Sequence, residues 1–307
     1  MRNAFAQELT RIASENNKVV LLTGDMGNKL FDEFKSVAAE RFYNCGVAEA
    51  NMTGMAAGMS LMGLRPVTYT ITPFAVIRCM EQIRIDLCYH NLPVIIAGAG
   101  SGYSYAPLGP THHSCDDIGL LRMFPNMTII CPCDPVEARL ALRSALSHNG
   151  PVYIRLAKKG EPVIHKTIPE FKIGKSITIK EGKDICLLST GNIMSIALEA
   201  AQELEKKKIS CRLESFHTVK PLDTETLGEI FSNYKLVVTI EEHSLIGGMG
   251  SAVAEWMVDR RIFQGRLLRF GVKDMFLTCV ASQEYARACH GLVVERIVNE
   301  AANAIGI

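Results

Sequence analysis

The sequence predicts an α/β protein of two domains, each built around a largely parallel sheet. Three observations carry this. Short apolar runs alternate with helix-like segments along the whole chain. The periodicity fades once, from Ala157 to Lys183, in a Lys-, Gly- and Pro-containing stretch that includes Pro162, Pro169 and Gly174. And 307 residues at 48% hydrophobic and 21% charged give ample core, at a length that suits two domains rather than one. The expected organisation is a first domain over 1–160, a linker over 161–183 and a second domain over 184–307.

In the first block the candidate strands are 19–23, 66–71, 93–97, 127–131 and 151–156, each next to an amphipathic stretch. The strongest helix candidate is 48–62, where Ala, Met and Leu are good formers and Gly54 and Gly58 offer close packing at one-turn spacing. The second block opens with a strand at 185–189, continues through a helix at 195–206, and adds strands near 211–216, 236–240 and 267–270. No internal repeat or low-complexity tract interrupts either block.

Charge excludes some function classes. The 33 basic and 32 acidic residues leave a net charge of +1 with no long block of one sign, so neither nucleic acid nor an anionic membrane is the expected partner. The ten cysteines are scattered apart from the near pair Cys131 and Cys133, and none has C-x-x-C spacing. Most of them read as buried free thiols in a reducing cytosol, and no metal ligand set is expected within the chain. There is no secretory-signal pattern at the N-terminus and no apolar stretch of spanning length, so a soluble cytoplasmic protein is expected.

The motifs are more specific. The stretch Cys45-Gly-Val-Ala-Glu-Ala-Asn-Met-Thr-Gly-Met-Ala-Ala-Gly-Met-Ser60 resembles the G-(I/V)-x-E…A-x-G segment of the transketolase pyrimidine-binding domain. The run Phe74-Ala-Val-Ile-Arg-Cys-Met-Glu-Gln-Ile-Arg84 is similar to the family's helix that presents an aromatic ring to thiamine. Gly109-Pro-Thr-His112, then Asp117, Leu121-Arg122, Pro125-Asn-Met127 and Pro132-Cys-Asp134 resemble the transketolase series G-P-T-H…D…L-R…P-N-M…P-x-D. Ser189-Thr-Gly191, Val219-Lys-Pro-Leu222 and Glu241-Glu-His-Ser-Leu-Ile-Gly-Gly-Met-Gly250 are similar to the C-terminal domain. The resemblance spans nearly the whole chain.

It implies a chemistry centred on Glu49. A carboxyl group hydrogen-bonded to the pyrimidine nitrogen of thiamine diphosphate stabilises the tautomer that deprotonates the thiazolium carbon. Val47, Ala48, Ala50 and Met52 are expected to give that carboxyl apolar surroundings. Without the flanking motifs, Glu49 reads as a carboxylate complementing a helix N-terminus. By the same resemblance Phe74 stacks on the aminopyrimidine, His112 contacts a substrate oxygen and transfers protons, and Arg155 and Arg2 hold a substrate phosphate. His113 has no assigned role.

What is missing matters equally. A complete transketolase is about twice as long and carries a G-D-G segment with a later Asn for the metal and diphosphate, whereas Gly24-Asp-Met-Gly27 departs from that pattern after two residues. The resemblance therefore implies the C-terminal subunit of a split transketolase. Its partner would be an N-terminal subunit holding the diphosphate and Mg²⁺ (or Ca²⁺), in an α₂β₂ heterotetramer acting on small sugar substrates.

In the substrate loop, Pro107 and Leu108 replace the family's usual Glu-Asp, and Gly100 stands where a phosphate-assisting histidine is usual. Tyr103 and Tyr105 add aromatic surface and hydroxyls suited to a less polar, nucleotide-linked, sulfonated or branched substrate. The glycine run at 247–250 reads as helix packing or subunit contact before a phosphate cradle. Three alternatives stay open: a split relative of deoxyxylulose-phosphate synthase, a 2-oxo acid dehydrogenase β subunit, and an inactive scaffold or regulatory subunit. The joint presence of Glu49, Phe74 and His112 argues against the scaffold.

Overall fold

The computed structural model describes residues 1–306 apart from 28, 159 and 263. A seven-stranded sheet runs in the order β10-β5-β6-β4-β3-β1-β2, formed by β1 (Val19–Thr23), β2 (Phe42–Asn44), β3 (Arg65–Ile71), β4 (Ile95–Ala99), β5 (Thr128–Ile130), β6 (Val152–Leu156) and β10 (Thr218–Lys220). A five-stranded sheet runs β12-β11-β8-β9-β7, from β7 (Ile177–Lys180), β8 (Ile185–Thr190), β9 (Cys211–Ser215), β11 (Leu236–Ser244) and β12 (Arg266–Val272). All pairings are parallel except β10 on β5 and β7 on β9.

The strand pleat sorts the apolar runs onto two faces. Val20, Leu22, Ile96 and Tyr153 face helices Glu49–Leu61 and Asp117–Arg122, meeting Met52, Ala56, Ile118 and Leu121. Val19, Leu21, Ile95 and Ile154 face helices Arg2–Glu15 and Pro135–Ser147, meeting Phe5, Leu9 and Leu142. Because both faces are covered, β1 and β6 are buried at every residue, which is why they read as mainly apolar runs, with Arg155 the one charge among them.

Three elements differ from expectation. Within the expected 161–183 linker the chain forms β7, whose partial burial, with no residue fully enclosed, suits an edge strand. After β9 the chain returns to the first sheet, adding the three-residue β10 opposite Ile129 and Ile130, so the two cores are continuous. And β11 runs four residues past the expected 236–240, through Glu241, Glu242 and His243, each fully buried.

The helix Glu49–Leu61 follows the sequence closely, but its glycines are not packing contacts. A Cβ on Gly58 would meet nothing within 4 Å, and one on Gly54 would only reach Asp86 at 4.0 Å. Among the described residues, no helix is long and apolar enough to cross a membrane.

Candidate active site

From β1 the chain steps outward to β2 and then back across to β3, so β1 and β3 bound the point where strand order reverses. Ligands of open α/β sheets bind in the crevice at such a point. Gly24 follows β1, Glu49 opens the helix after β2, and Thr70 lies near the end of β3. A Cβ on Gly24 would lie 2.9 Å from Thr70 Oγ1 and 3.2 Å from Glu49 Cγ, so only glycine lets these three segments meet.

Glu49 is 1% exposed. Thr70 Oγ1 donates to its Oε1 at 3.3 Å and Arg78 Nη1 donates to its Oε2 at 2.6 Å. The surroundings differ from the apolar shell expected of its sequence neighbours. Successive helical side chains point in different directions, and Val47 faces solvent at 75% exposure. Gly24, Thr70 and Arg78 surround the carboxylate instead.

Arg78 also lies over the Phe74 ring, 4.5 Å from its centroid, and so bridges ring and carboxylate. Its side chain is 43% exposed, against 2% for Glu49. The i, i+4 spacing of Phe74 and Arg78 within one motif was the available signal for this pair. His112 meets the edge of Phe74 at 5.3 Å between centroids, with its Nδ1 2.9 Å from Thr111 Oγ1. Partial burial lowers its pKa, which favours the neutral ring. Glu49, Phe74 and His112 thus come together, through Arg78.

A second group adjoins them. Tyr105 lies edge-on to His112 at 6.4 Å, receives a long hydrogen bond from Arg2 Nη1 at 3.4 Å, and has Lys158 Nζ 4.7 Å over its ring. It also explains Gly100: a Cβ there would sit 2.0 Å from the Tyr105 ring, so the tyrosine fills the space a larger residue at 100 would need. Tyr103, by contrast, is buried packing, stacked on His290 with its hydroxyl 2.7 Å from Nε2. His113 packs edge-on against Tyr103 at 5.0 Å. Beside this loop a cleft of ≈ 670 Å³ opens between Pro73, Ile77, Thr111 and His113 of the first domain and Met275 and Phe276 of the second.

Arg155 requires a correction. It is 1% exposed and its guanidinium lies inside the protein, with Nε and Nη2 paired and Nη1 without a partner among the described residues. Nε donates to Asp117 Oδ2 at 2.7 Å, and Nη2 donates to Ser114 O at 2.7 Å, Asp117 Oδ1 at 3.2 Å and Glu242 O at 3.1 Å. Tyr153 donates to the same carboxylate at 2.6 Å. Burial alone would raise the Asp117 pKa, but the adjacent guanidinium holds it below the ordinary value. So enclosed a group has no access to a substrate phosphate. Lys158, three residues further on, is the cation that stands beside Arg2 and Tyr105.

The glycine run holds a carboxylate of its own chain. Glu241 accepts from Met249 N at 2.7 Å and Gly250 N at 2.8 Å at the start of helix Met249–Asp259, filling the place an external anion would take. A Cβ on Gly248 would come within 2.2 Å of Glu241 Oε2.

Residues 1–161 match the model of the transketolase pyrimidine-binding domain and residues 174–297 that of the transketolase C-terminal domain. The chain belongs to the transketolase family, a thiamine-diphosphate-dependent class, and corresponds to the C-terminal subunit of a split transketolase. It is 37% identical over 85% of its length to an apulose-4-phosphate transketolase subunit of Actinobacillus succinogenes, covering 83% of that protein. It is 35% identical over 98% to the 6-deoxy-6-sulfo-D-fructose transketolase subunit SqwH of Clostridium sp. strain MSTE9, covering 93%. A solved split-gene transketolase, an inactive β4 tetramer, superposes with a TM-score of 0.89 at 36% identity, covering 99% of this chain and 97% of that one.

Two outcomes test this geometry. Replacing Arg155 by Met leaves Asp117 buried without its cation, which costs about 3–5 kcal/mol of stability; urea unfolding reads this, and an unchanged midpoint contradicts the buried-pair assignment. Burial pushes Glu241 up to about 7 from 4.5. A raised folded-state value gives stability that is full below pH 4.5 and lost as pH rises through 7. The melting temperature of the native chain minus that of Glu241→Gln should therefore increase as pH falls from 7 to 4.5, corresponding to at most about 3 kcal/mol.

Proposed function

We propose that this chain is the cofactor-activating subunit of a two-component transketolase, which transfers a two-carbon ketol unit from a ketose donor to an aldehyde acceptor. The observation that carries it is Glu49: a buried carboxylate at the strand-order reversal, joined through Arg78 to Phe74 and from there to His112. When bound, thiamine diphosphate supplies the nucleophilic carbon for carbon–carbon bond exchange.

The residues fit that group. Glu49 Oε2 already accepts one directed hydrogen bond, and its donor Arg78 is the exposed member of the pair, able to withdraw and rehydrate. Glu49 then holds the proton shared with the pyrimidine nitrogen, and Phe74 lines the ring. His112, neutral because burial lowers its pKa, accepts a proton from a substrate hydroxyl and returns it. The diphosphate and its Mg²⁺ (or Ca²⁺) fall to a partner subunit in an α₂β₂ assembly, since the motifs of this chain supply residues for the pyrimidine end only. The solved relative's β4 tetramer is inactive by its own description, which supports the need for a partner.

Arg2, Tyr105 Oη and Lys158 form the anion-facing side of the substrate site. Both cations reach the same phenol next to His112, which suits a substrate with a phosphate or sulfonate at its far end. The two relatives named for apulose 4-phosphate and for a sulfofructose act on substrates of these two kinds.

In the reconstituted complex, Glu49→Gln should lower kcat by about 10²–10⁴-fold while assembly persists by native mass spectrometry; near-wild-type turnover removes the mechanism. Titration calorimetry should find only feeble thiamine diphosphate binding to the isolated chain, and tight metal-dependent binding would refute the divided site. Lys158→Ala should raise KM for an anionic substrate by about 10-fold with kcat little changed, as expected for the loss of one charge-assisted bond; the same KM in both proteins would place the anion elsewhere.

A further inference from the structure

A cluster outside the catalytic region joins three metal-type donors from two distant segments. Cys133 follows β5 and Glu137 lies in the first turn of helix Pro135–Ser147, while His165 belongs to the connection between the domains. Cys133 Sγ is 3.8 Å from His165 Nε2, and that nitrogen is 2.8 Å from Glu137 Oε1. All three ligand atoms lie within 4.8 Å of one another. Cys133 and Glu137 are 2% and 0% exposed, and the His165 side chain is 7% exposed.

The backbone around the cluster is fixed before any ion arrives. Asp134 Oδ2 accepts from Ile164 N at 2.9 Å and His165 N at 3.0 Å, while its Oδ1 accepts from Glu137 N at 2.8 Å. Glu137 Oε2 accepts from Cys133 N at 2.8 Å, which leaves Oε1 turned to His165. A second, independent observation comes from His217, between β9 and β10. It is 0% exposed, stacked on Phe171 at 3.9 Å, and near enough for the charges of Glu137 and His165 to act on it. Its Nδ1 is paired with Thr218 Oγ1 at 2.9 Å, but its Nε2 has no partner among the described residues. A buried ring nitrogen in that condition calls for one more polar group beside it.

We propose that Cys133 Sγ, Glu137 Oε1 and His165 Nε2 bind one Zn²⁺-type ion, with a fourth position filled by water that is hydrogen-bonded to His217 Nε2. Thiolate, imidazole and carboxylate together suit zinc, and the hard Mg²⁺ of a diphosphate site would not choose them. Metal–sulfur and metal–nitrogen bonds of about 2.3 and 2.0 Å span nearly the sulfur–nitrogen separation present, whereas the His165–Glu137 contact must open by roughly half an ångström. Binding expels the Cys133 thiol proton and the proton that His165 shares with Glu137, so affinity rises with pH. The site is structural: it fastens the interdomain connection to the first sheet, beside the point where β9 hands over to β10.

The test uses the full-length chain, stripped with chelator and titrated with Co²⁺ and with Zn²⁺ in the absence of thiamine diphosphate. One equivalent should bind, with a cobalt–thiolate charge-transfer band in the near ultraviolet and a rise in melting temperature on Zn²⁺ addition. Cys133→Ser should abolish the band and weaken binding at least 100-fold, and His165→Gln, on the connection between the domains, should weaken it similarly while circular dichroism stays native. Cys279→Ser, which removes an exposed cysteine, should change neither. No stoichiometric binding, or a band that survives Cys133→Ser, overturns the proposal and leaves the three groups as a hydrogen-bonded cluster.

Discussion

Arg155 sits near the end of β6 with one carboxylate and two carbonyl groups around its guanidinium, and these partners belong to three different segments. Asp117 opens the helix that follows the loop carrying His112, Ser114 O belongs to that loop itself, and Glu242 O lies in β11 of the second domain. An ion pair enclosed to this degree adds little net stability by itself, because desolvation offsets most of the Coulomb attraction. What it imposes is position: neither charge can stay buried without the other. The strand end, the loop carrying His112 and the second sheet are therefore fixed together.

The same logic runs through the buried charges of β11. Glu242 accepts from Tyr103 N at 2.6 Å, from Gln283 Nε2 at 2.9 Å and from Arg287 Nε at 2.5 Å, so it fastens the loop after β4 to the helix Gln283–His290. His243 Nε2 accepts from Gly119 N at 3.2 Å, which requires the proton on Nδ1, where it meets Ser244 O at 2.9 Å. The domain junction is thus polar, directional and fully enclosed. Apolar contacts alone would tolerate sliding, whereas these bonds specify one register between the sheets.

Most of the scaffold was legible in the sequence because its strands are buried on both faces and so appear as mainly apolar runs between amphipathic helices. Failures have a common cause in partners distant along the chain. A three-residue strand such as β10 has no periodicity to read, and only β5 makes it a strand. The charged triplet at 241–243 extends the strand beyond its apolar run because the donors that satisfy it come from a loop and helices distant in sequence. Arg155 matched a family position, yet nothing local announces Asp117 as its partner. The Cys133, Glu137 and His165 group escaped for the same reason, since 28 residues separate Glu137 from His165 and no spacing rule links them. Glu49, Phe74 and His112 could be singled out because each lies in a motif, while the contacts of Arg78 with Glu49 and Phe74 needed the step from helical spacing to contact.

Glu49 and Arg78 bear unequal costs when they separate. The guanidinium is nearly half exposed and recovers water when it leaves, whereas the carboxylate is 2% exposed and recovers almost none. A ligand entering between Glu49 and Phe74 must therefore bring its own hydrogen-bond donor to Oε2 and a flat face for the ring. An apolar or purely anionic molecule meets one requirement or neither. In the proposed function, an aminopyrimidine that shares a proton with Glu49 meets both, and the uncompensated part of the cost falls on the diphosphate contacts. On that reading those contacts would lie in the partner subunit, so the pocket in this chain would select the cofactor and the partner would supply most of the affinity that holds it.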